Sequence, residues 1–260
     1  MGTNTHAPSN ATGPAALALQ RRIEEASLNA WPALVQLLYD GWIFRFSHGF
    51  TRRANAVTPL SDGGFRSTEA KIRWCENQYA RAGQPSLFRL PGFLELDELE
   101  TALAERGYAE EEATCVLSAA LAEAPDAAAR VRLTDRTPWL RVYAELTGEP
   151  DGARRLHDLV LRGIAGDCLF TVVEEDGQAV ACGLGVVEDD LLGIFDVVTA
   201  ERARRQGHGR TLIAGLHARG HRAGARTAYL QMRAGNEPAA ALYEDFGYGE
   251  RYRYRYLRKA

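Results

Sequence analysis

Arg204-Arg205-Gln206-Gly207-His208-Gly209-Arg210 is the stretch whose residue types and spacing most directly suggest chemistry. It lies between an apolar run, Leu191 to Val198, and an amphipathic stretch, Thr211 to Arg222. The run reads as a strand and the stretch as a helix. The first backbone N–H groups of a helix lack intrahelical acceptors, and the helix dipole adds partial positive charge there. Gly207 and Gly209 carry no Cβ, so an anion can approach the main chain closely. The turn is therefore a candidate pyrophosphate site. The plain alternative is a helix start with a glycine turn and solvated arginines. The G-x-x-x-x-G-K-[ST] loop is absent, and the G-x-G-x-x-G dinucleotide pattern fails at Leu212.

Around this turn the chain has ordinary globular composition, 46% hydrophobic and 25% charged over 260 residues. That length suits one large domain or two small ones. Net charge is −3, which excludes polyanion binding by bulk charge. Residues 1–128 carry 11 basic and 16 acidic residues, whereas residues 129–260 carry 20 and 18. The half with the arginine turn is the more positive one. Cys75, Cys115, Cys168 and Cys182 form no C-x-x-C and show no metal-ligand spacing, so reduced thiols and a cytoplasmic protein are expected. No apolar run approaches the length of a membrane span, and no secretion signal is visible.

The coarse reading is as follows. Residues 1–16 are expected to be a disordered leader. Residues 17–128 read as an α+β unit. Ala18 to Leu38 has helical spacing interrupted by Pro32, Gly41 to Phe46 reads as a strand, and Arg53 to Leu60 as its hairpin partner. Ser67 to Ala82 and Asp97 to Arg106 read as helices, and Ser86 to Leu90 and Ala113 to Leu121 as strands. Arg52-Arg53-Ala54-Asn55 is either a substrate- or acid-binding edge or a solvated hairpin with surface arginines, and the solvated reading is preferred. Ala122 to Ala129 is the junction. Beyond it come a short strand at Val131 to Leu133, helices at Pro138 to Leu146 and Ala153 to Gly163, and a hairpin about Asp176-Gly177. The strand at Leu191, the turn and the helix follow, then a strand from Thr227 to Met232, a helix from Asn236 to Phe246 and a last strand from Tyr248 to Leu257.

This order, together with two motifs, resembles the GNAT superfamily of N-acetyltransferases. The first motif is Arg204, Gly207 and Gly209. The second is Asn236-Glu237-Pro238-Ala239-Ala240-Ala241-Leu242-Tyr243-Glu244-Asp245-Phe246-Gly247-Tyr248, which is similar to the family's N-x-x-A-x-x-L-Y-x-x-x-G-[FY]. His208 departs from the apolar residue common between the glycines. The resemblance covers about residues 130–260. Trp31-Pro32-Ala33 and Asp40-Gly41-Trp42 extend it to tandem bacterial members whose first half is a degenerate copy. It implies a three-layer α/β/α fold, classed as α+β. The sheet would be mixed and mostly antiparallel, with a splayed central strand pair. The implied domains are a degenerate one at 17–128 and a catalytic one at 129–260.

What the resemblance implies for chemistry is acetyl transfer from acetyl-CoA to an amine, small-molecule or protein, by direct attack in a ternary complex. Arg204, Arg205, Gln206, Gly207, His208, Gly209 and Arg210 would hold the CoA pyrophosphate. Val197, Val198 and Thr199 would face the pantetheine arm, and a backbone N–H near Val198 would polarise the thioester. Asn236 would contact the cofactor or cap its helix. Tyr243 is the expected general acid for the departing thiolate. Asp196 is the expected general base, with Glu188 and Asp189 as alternatives. A non-catalytic acyl-CoA sensor is the alternative function.

Two further features are expected to be structural. His217 and His221 have a zinc-capable spacing, but Ala218 stands where H-E-x-x-H needs Glu, so surface histidines and no metal are expected. Arg251 to Tyr256 alternates Arg and Tyr with period 2, which puts all tyrosines on one strand face. A closing strand with inward tyrosines is preferred to nucleic-acid binding. No nucleic acid or membrane partner is expected, and the protein is expected to be a monomer or homodimer.

Overall fold

The computed structural model describes residues 13–61 and 64–259. Helix α1 (Pro14–Ala30) opens with proline at its first turn, where a missing N–H costs nothing. It therefore begins inside the expected leader, whose first twelve residues lie outside the described residues. The helix stops at Trp31-Pro32, and Val35–Tyr39 forms strand β1 rather than the end of a helix. Asp40 and Gly41, at φ 49° and 81°, turn the chain back into β2 (Trp42–Phe46). Two positive φ values suit the tight hairpin turn whose twist matches its strands.

The remaining elements of the first half are β3 (Val57–Pro59), α2 (Thr68–Arg81), β4 (Leu87–Pro91), α3 (Asp97–Glu105) and β5 (Tyr108–Ala120). Ser67 caps α2 by accepting from the Ala70 N–H, as its sequence suggests. β5 starts five residues before the expected strand, because Glu110 and Glu112 pair with β11 across a register shift at Glu111, and the three carboxylates meet Arg255, Arg52 and Arg258.

After a short α4 (Pro125–Ala128) come β6 (Arg132–Leu133), α5 (Arg136–Thr147), α6 (Asp151–Arg162), β7 (Asp167–Glu175), β8 (Gln178–Glu188) and β9 (Leu191–Thr199). A 3-10 turn, Glu201–Ala203, leads to α7 (His208–Arg222), β10 (Thr227–Arg233), α8 (Glu237–Glu244) and β11 (Gly249–Lys259). Side chains alternate along the strands. Cys182, Leu184 and Val186 of β8 join Trp31, Trp139 and Val160 on one face, while Ala181 and Val187 join Leu212 and Leu216 of α7 on the other. Helices thus cover both faces of the sheet.

Among the described residues, eleven strands form one sheet, in the order β1-β2-β3-β4-β11-β5-β10-β9-β8-β7-β6. From β1 inward the pairings are antiparallel, antiparallel, parallel, antiparallel. From β7 inward they are the same. The sheet therefore contains two copies of one strand pattern. They meet at β5 and β11, each of which lies next to the other half's strands: β5 pairs with β10, and β11 with β4. The two parallel pairs are each joined by a helix, α2 in one copy and α7 in the other.

Inward tyrosines appear as the period predicts. Tyr252, Tyr254 and Tyr256 are buried, which removes them as stacking surfaces for bases. Glu24 of α1 ties this face together, accepting from Tyr252 at 2.6 Å and forming a buried ion pair with Arg89. His217 corrects the expectation of a surface histidine: it is buried and bonded to the Tyr248 hydroxyl at 2.8 Å. Burial pushes its pKa down to about 4. Among the described residues no His, Cys, Asp and Glu group could hold a metal ion, and no helix is long and apolar enough to cross a membrane.

Candidate active site

β9 and β10 are paired only from Leu191/Thr227 to Ile194/Leu230. Both strands continue, and beyond that point they have no common register, so a cleft of about 320 Å³ opens between them. The cause is visible in β9. Between Phe195, opposite Leu184, and Val198, opposite Cys182, it carries one residue more than β8. Asp196 sits in this bulge at φ 49°. A bulge bends its strand and re-aims side chains.

Asp196 and Val197 of β9 line the cleft, together with Asn236 and Tyr243 of the α8 segment. Asn236 caps α8, accepting from the Ala239 N–H at 3.3 Å. Tyr243 is buried, and burial raises its phenol pKa to about 12. It therefore keeps its proton at any physiological pH.

The arginine turn does not line this cleft. Arg204, Arg205, Gln206 and Gly207 are exposed at the start of α7, with Gly207 at φ 87° as N-cap. Gly209 connects the turn to the cleft wall, since a Cβ there would lie 3.5 Å from Leu242 and 3.6 Å from Thr199. His208 lies 3.5 Å from Glu175, and Arg210 forms an ion pair with Asp245. Val198 and Thr199 are half-buried further along β9. In the first copy the corresponding approach to α2 is filled from within. The Asp40 carboxylate accepts the N–H groups of Phe65 and Arg66 at 3.0 and 2.9 Å, and a Cβ on Gly64 would strike it at 2.6 Å.

Sequence reasoning missed what lies behind Asp196. His157, on the buried face of α6 with Val160 and Leu161, is 1% exposed. Its Nε2 is 3.1 Å from Asp196 Oδ2 and its Nδ1 is 3.1 Å from Glu149 Oε1. Trp31 and Phe50 of the first half and Trp139 and Tyr143 of α5 enclose the ring. Burial opposes a charge on His157, but the hydrogen bond to Asp196 and the two carboxylates outweigh it, so its pKa is raised. The available signal was a polar residue at i, i+3, i+4 spacing with two apolar ones. Glu149 also borders a second cavity of about 720 Å³ between α5 and α6.

Solved acetyltransferases share this fold. The GCN5-related N-acetyltransferase from Kribbella flavida superposes with a TM-score of 0.66 at 18% identity, covering 93% of this chain and 95% of that one. One from Sphaerobacter thermophilus gives 0.62 at 17%, over 90% and 84%. A tandem GNAT protein from the clavulanic acid biosynthesis pathway gives 0.54 at 14%, over 78% and 74%. In sequence, the chain is 24% identical over 238 residues to the uncharacterized N-acetyltransferase YobR of Bacillus subtilis (strain 168), covering 88% of this chain and 94% of YobR. The family model described as "Probable histone acetyltransferase Rv0428c C-terminal" matches residues 18–257. The chain belongs to that family and is a GNAT-superfamily N-acetyltransferase.

Proposed function

We propose that this protein transfers the acetyl group of acetyl-CoA directly to an amine held in the β9–β10 cleft. The observation that carries this is the end of strand pairing at Ile194/Leu230, with Asp196 and Tyr243 both lining the gap. The pantetheine arm would run along Val197, Val198 and Thr199, whose edge toward β10 has no strand partner. The diphosphate would rest on the main-chain N–H groups from Gln206 to Arg210, with the exposed Arg205 and Arg204, the latter 4.0 Å from Glu201, turning to meet it.

Asp196 would accept the proton of the acceptor ammonium. His157, bridging Asp196 and Glu149 as an imidazolium, would donate to both carboxylates and hold Asp196 in place, and Asp196 would pass the proton on to water in the cleft. Tyr243 would donate a hydrogen bond to the departing thiolate. With its pKa at about 12, complete proton transfer to a thiolate whose thiol has an ordinary pKa would be uphill by about 5 kcal/mol. The phenol therefore acts as a donor that shares its proton until water protonates the thiolate.

We read residues 17–128 as a degenerate copy, with Asp40 accepting from the chain just before α2, and 129–260 as the catalytic copy. The strand pattern repeated from both edges of the sheet supports it. Release of free CoA thiol, followed with acetyl-CoA and a panel of amines, tests the proposal. Amine-dependent thiol release supports it. Tight CoA binding without turnover would instead favour an acyl-CoA sensor.

A further inference from the structure

The loop 47–56 between β2 and β3 is tied down far more than a solvated hairpin requires. The buried Asn55 side chain accepts the Ser47 and Gly49 N–H groups at 2.7 and 3.0 Å, and donates to Phe50 and Thr51 carbonyls at 2.6 and 2.7 Å. Buried Arg45 donates to the Arg53 carbonyl at 2.9 Å, and the Trp31 indole donates to the Thr51 hydroxyl at 3.0 Å. Thr51 is held at φ 53°, a conformation that a β-branched residue adopts only when its surroundings impose it. This loop delivers one side chain, Arg53, to the cleft beside Asp196.

The Arg53 guanidinium lies over the rings of Trp31 and Phe195, at 4.8 and 5.5 Å. One Nη1 reaches Gln231 Oε1 at 3.4 Å. Among the described residues it has no carboxylate within ion-pair distance, whereas Arg52 pairs with Glu111 and Glu112, and Arg233 with Glu112. A guanidinium has five N–H donors in a planar fork that matches a carboxylate. Here the fork is oriented by two aromatic faces, and most of its donors are unused.

We propose that Arg53 is the carboxylate-binding residue of the acceptor site, so that the acceptor is a small amine carrying a carboxylate. This rests on the acetyl-transfer reading of the cleft. The amine meets Asp196 at the β9 bulge, and the carboxylate meets Arg53 on the wall supplied by the first half. That assignment gives the first copy a function: it supplies the specificity group of the second. A strongly cationic acceptor segment would be repelled by the same guanidinium.

The test pairs free L-amino acids and ω-amino acids of increasing length with their carboxamides, using the full chain and acetyl-CoA. The expected result is a preference for acids over amides on the order of 10²-fold in kcat/KM. In Arg53→Gln that preference disappears through the KM of the acid, while the KM of acetyl-CoA does not move. Arg53→Lys, which keeps charge without the fork, restores part of it. The chain length of the best ω-amino acid reports the span between the two groups. Equal turnover of acids and amides, or equal loss of both in Arg53→Gln, overturns the inference and leaves acetyl transfer standing. If no amine is acetylated, calorimetry of the same acids against CoA-loaded protein decides. Acid binding lost in Arg53→Gln supports the inference, and no acid binding overturns it. Failure of CoA itself to bind removes the acetyl-transfer reading, and this one with it.

Discussion

Replacing His157 by glutamine is the most informative single change, because the structure fixes both its size and its pH dependence. The imidazole bridges two carboxylates, each only 10% exposed, at 3.1 Å on either side. Removing one partner of a buried ion pair costs about 3–5 kcal/mol. Glutamine can still donate to one carboxylate and returns about 1 kcal/mol. The net loss is about 2–4 kcal/mol at pH 6, or a fall of about 5–15 °C in Tm for a chain of this size. His157 has a raised pKa in the folded protein, caused by Asp196 and Glu149 against the opposing effect of burial; Tyr143 and Arg53 also lie near these groups. Its contribution is therefore fully present below the unfolded value of about 6.5 and is lost as pH rises through the folded value. The gap between wild type and His157→Gln must narrow toward alkaline pH. Urea unfolding of both proteins from pH 6 to 9 measures it. A gap that is constant or widens with pH would refute the charged bridge.

Tyr243→Phe should lower kcat by about 10²-fold while leaving CoA affinity unchanged, as steady-state kinetics and CoA titration would report. Gly209→Ala places a methyl at ordinary contact distance from Leu242 and Thr199, so the fold should tolerate it. CoA affinity should nevertheless fall at least about tenfold, because the methyl sits where a phosphate approaches the main chain. Glu24→Ala leaves Arg89 buried without its carboxylate, and denaturant titration should show a loss of about 3–5 kcal/mol.

The part of the fold that was legible in sequence is the part whose contacts are local. The order from β7 to β11, the Ser67 and Asn236 caps and the inward tyrosines all follow from spacing within one element. Strand β1 is hidden in the sequence because Val35–Tyr39 continues a helical-looking pattern past Pro32, and only the Asp40-Gly41 turn, with both φ values positive, marks the hairpin. The extent of β5 depends on arginines more than a hundred residues away. The site divides in the same way. Asp196, Asn236 and Tyr243 belong to motif-bearing segments and line one cleft. His157 and Glu149 gain meaning only when α6 packs against β9. Arg53 looks solvated in the sequence because nothing local reveals Trp31 and Phe195 beneath it.

The central claim is that the start of α7 grips a diphosphate while the thioester arm enters the parted strands. Calorimetric titration with CoA and with pantetheine, which has the arm but no diphosphate, tests it most directly. CoA should bind at least about tenfold more tightly, a difference of about 1.4 kcal/mol, and Arg204→Glu combined with Arg205→Glu should abolish that advantage. Equal affinities for the two compounds, or a CoA affinity untouched by the double charge reversal, would contradict the account.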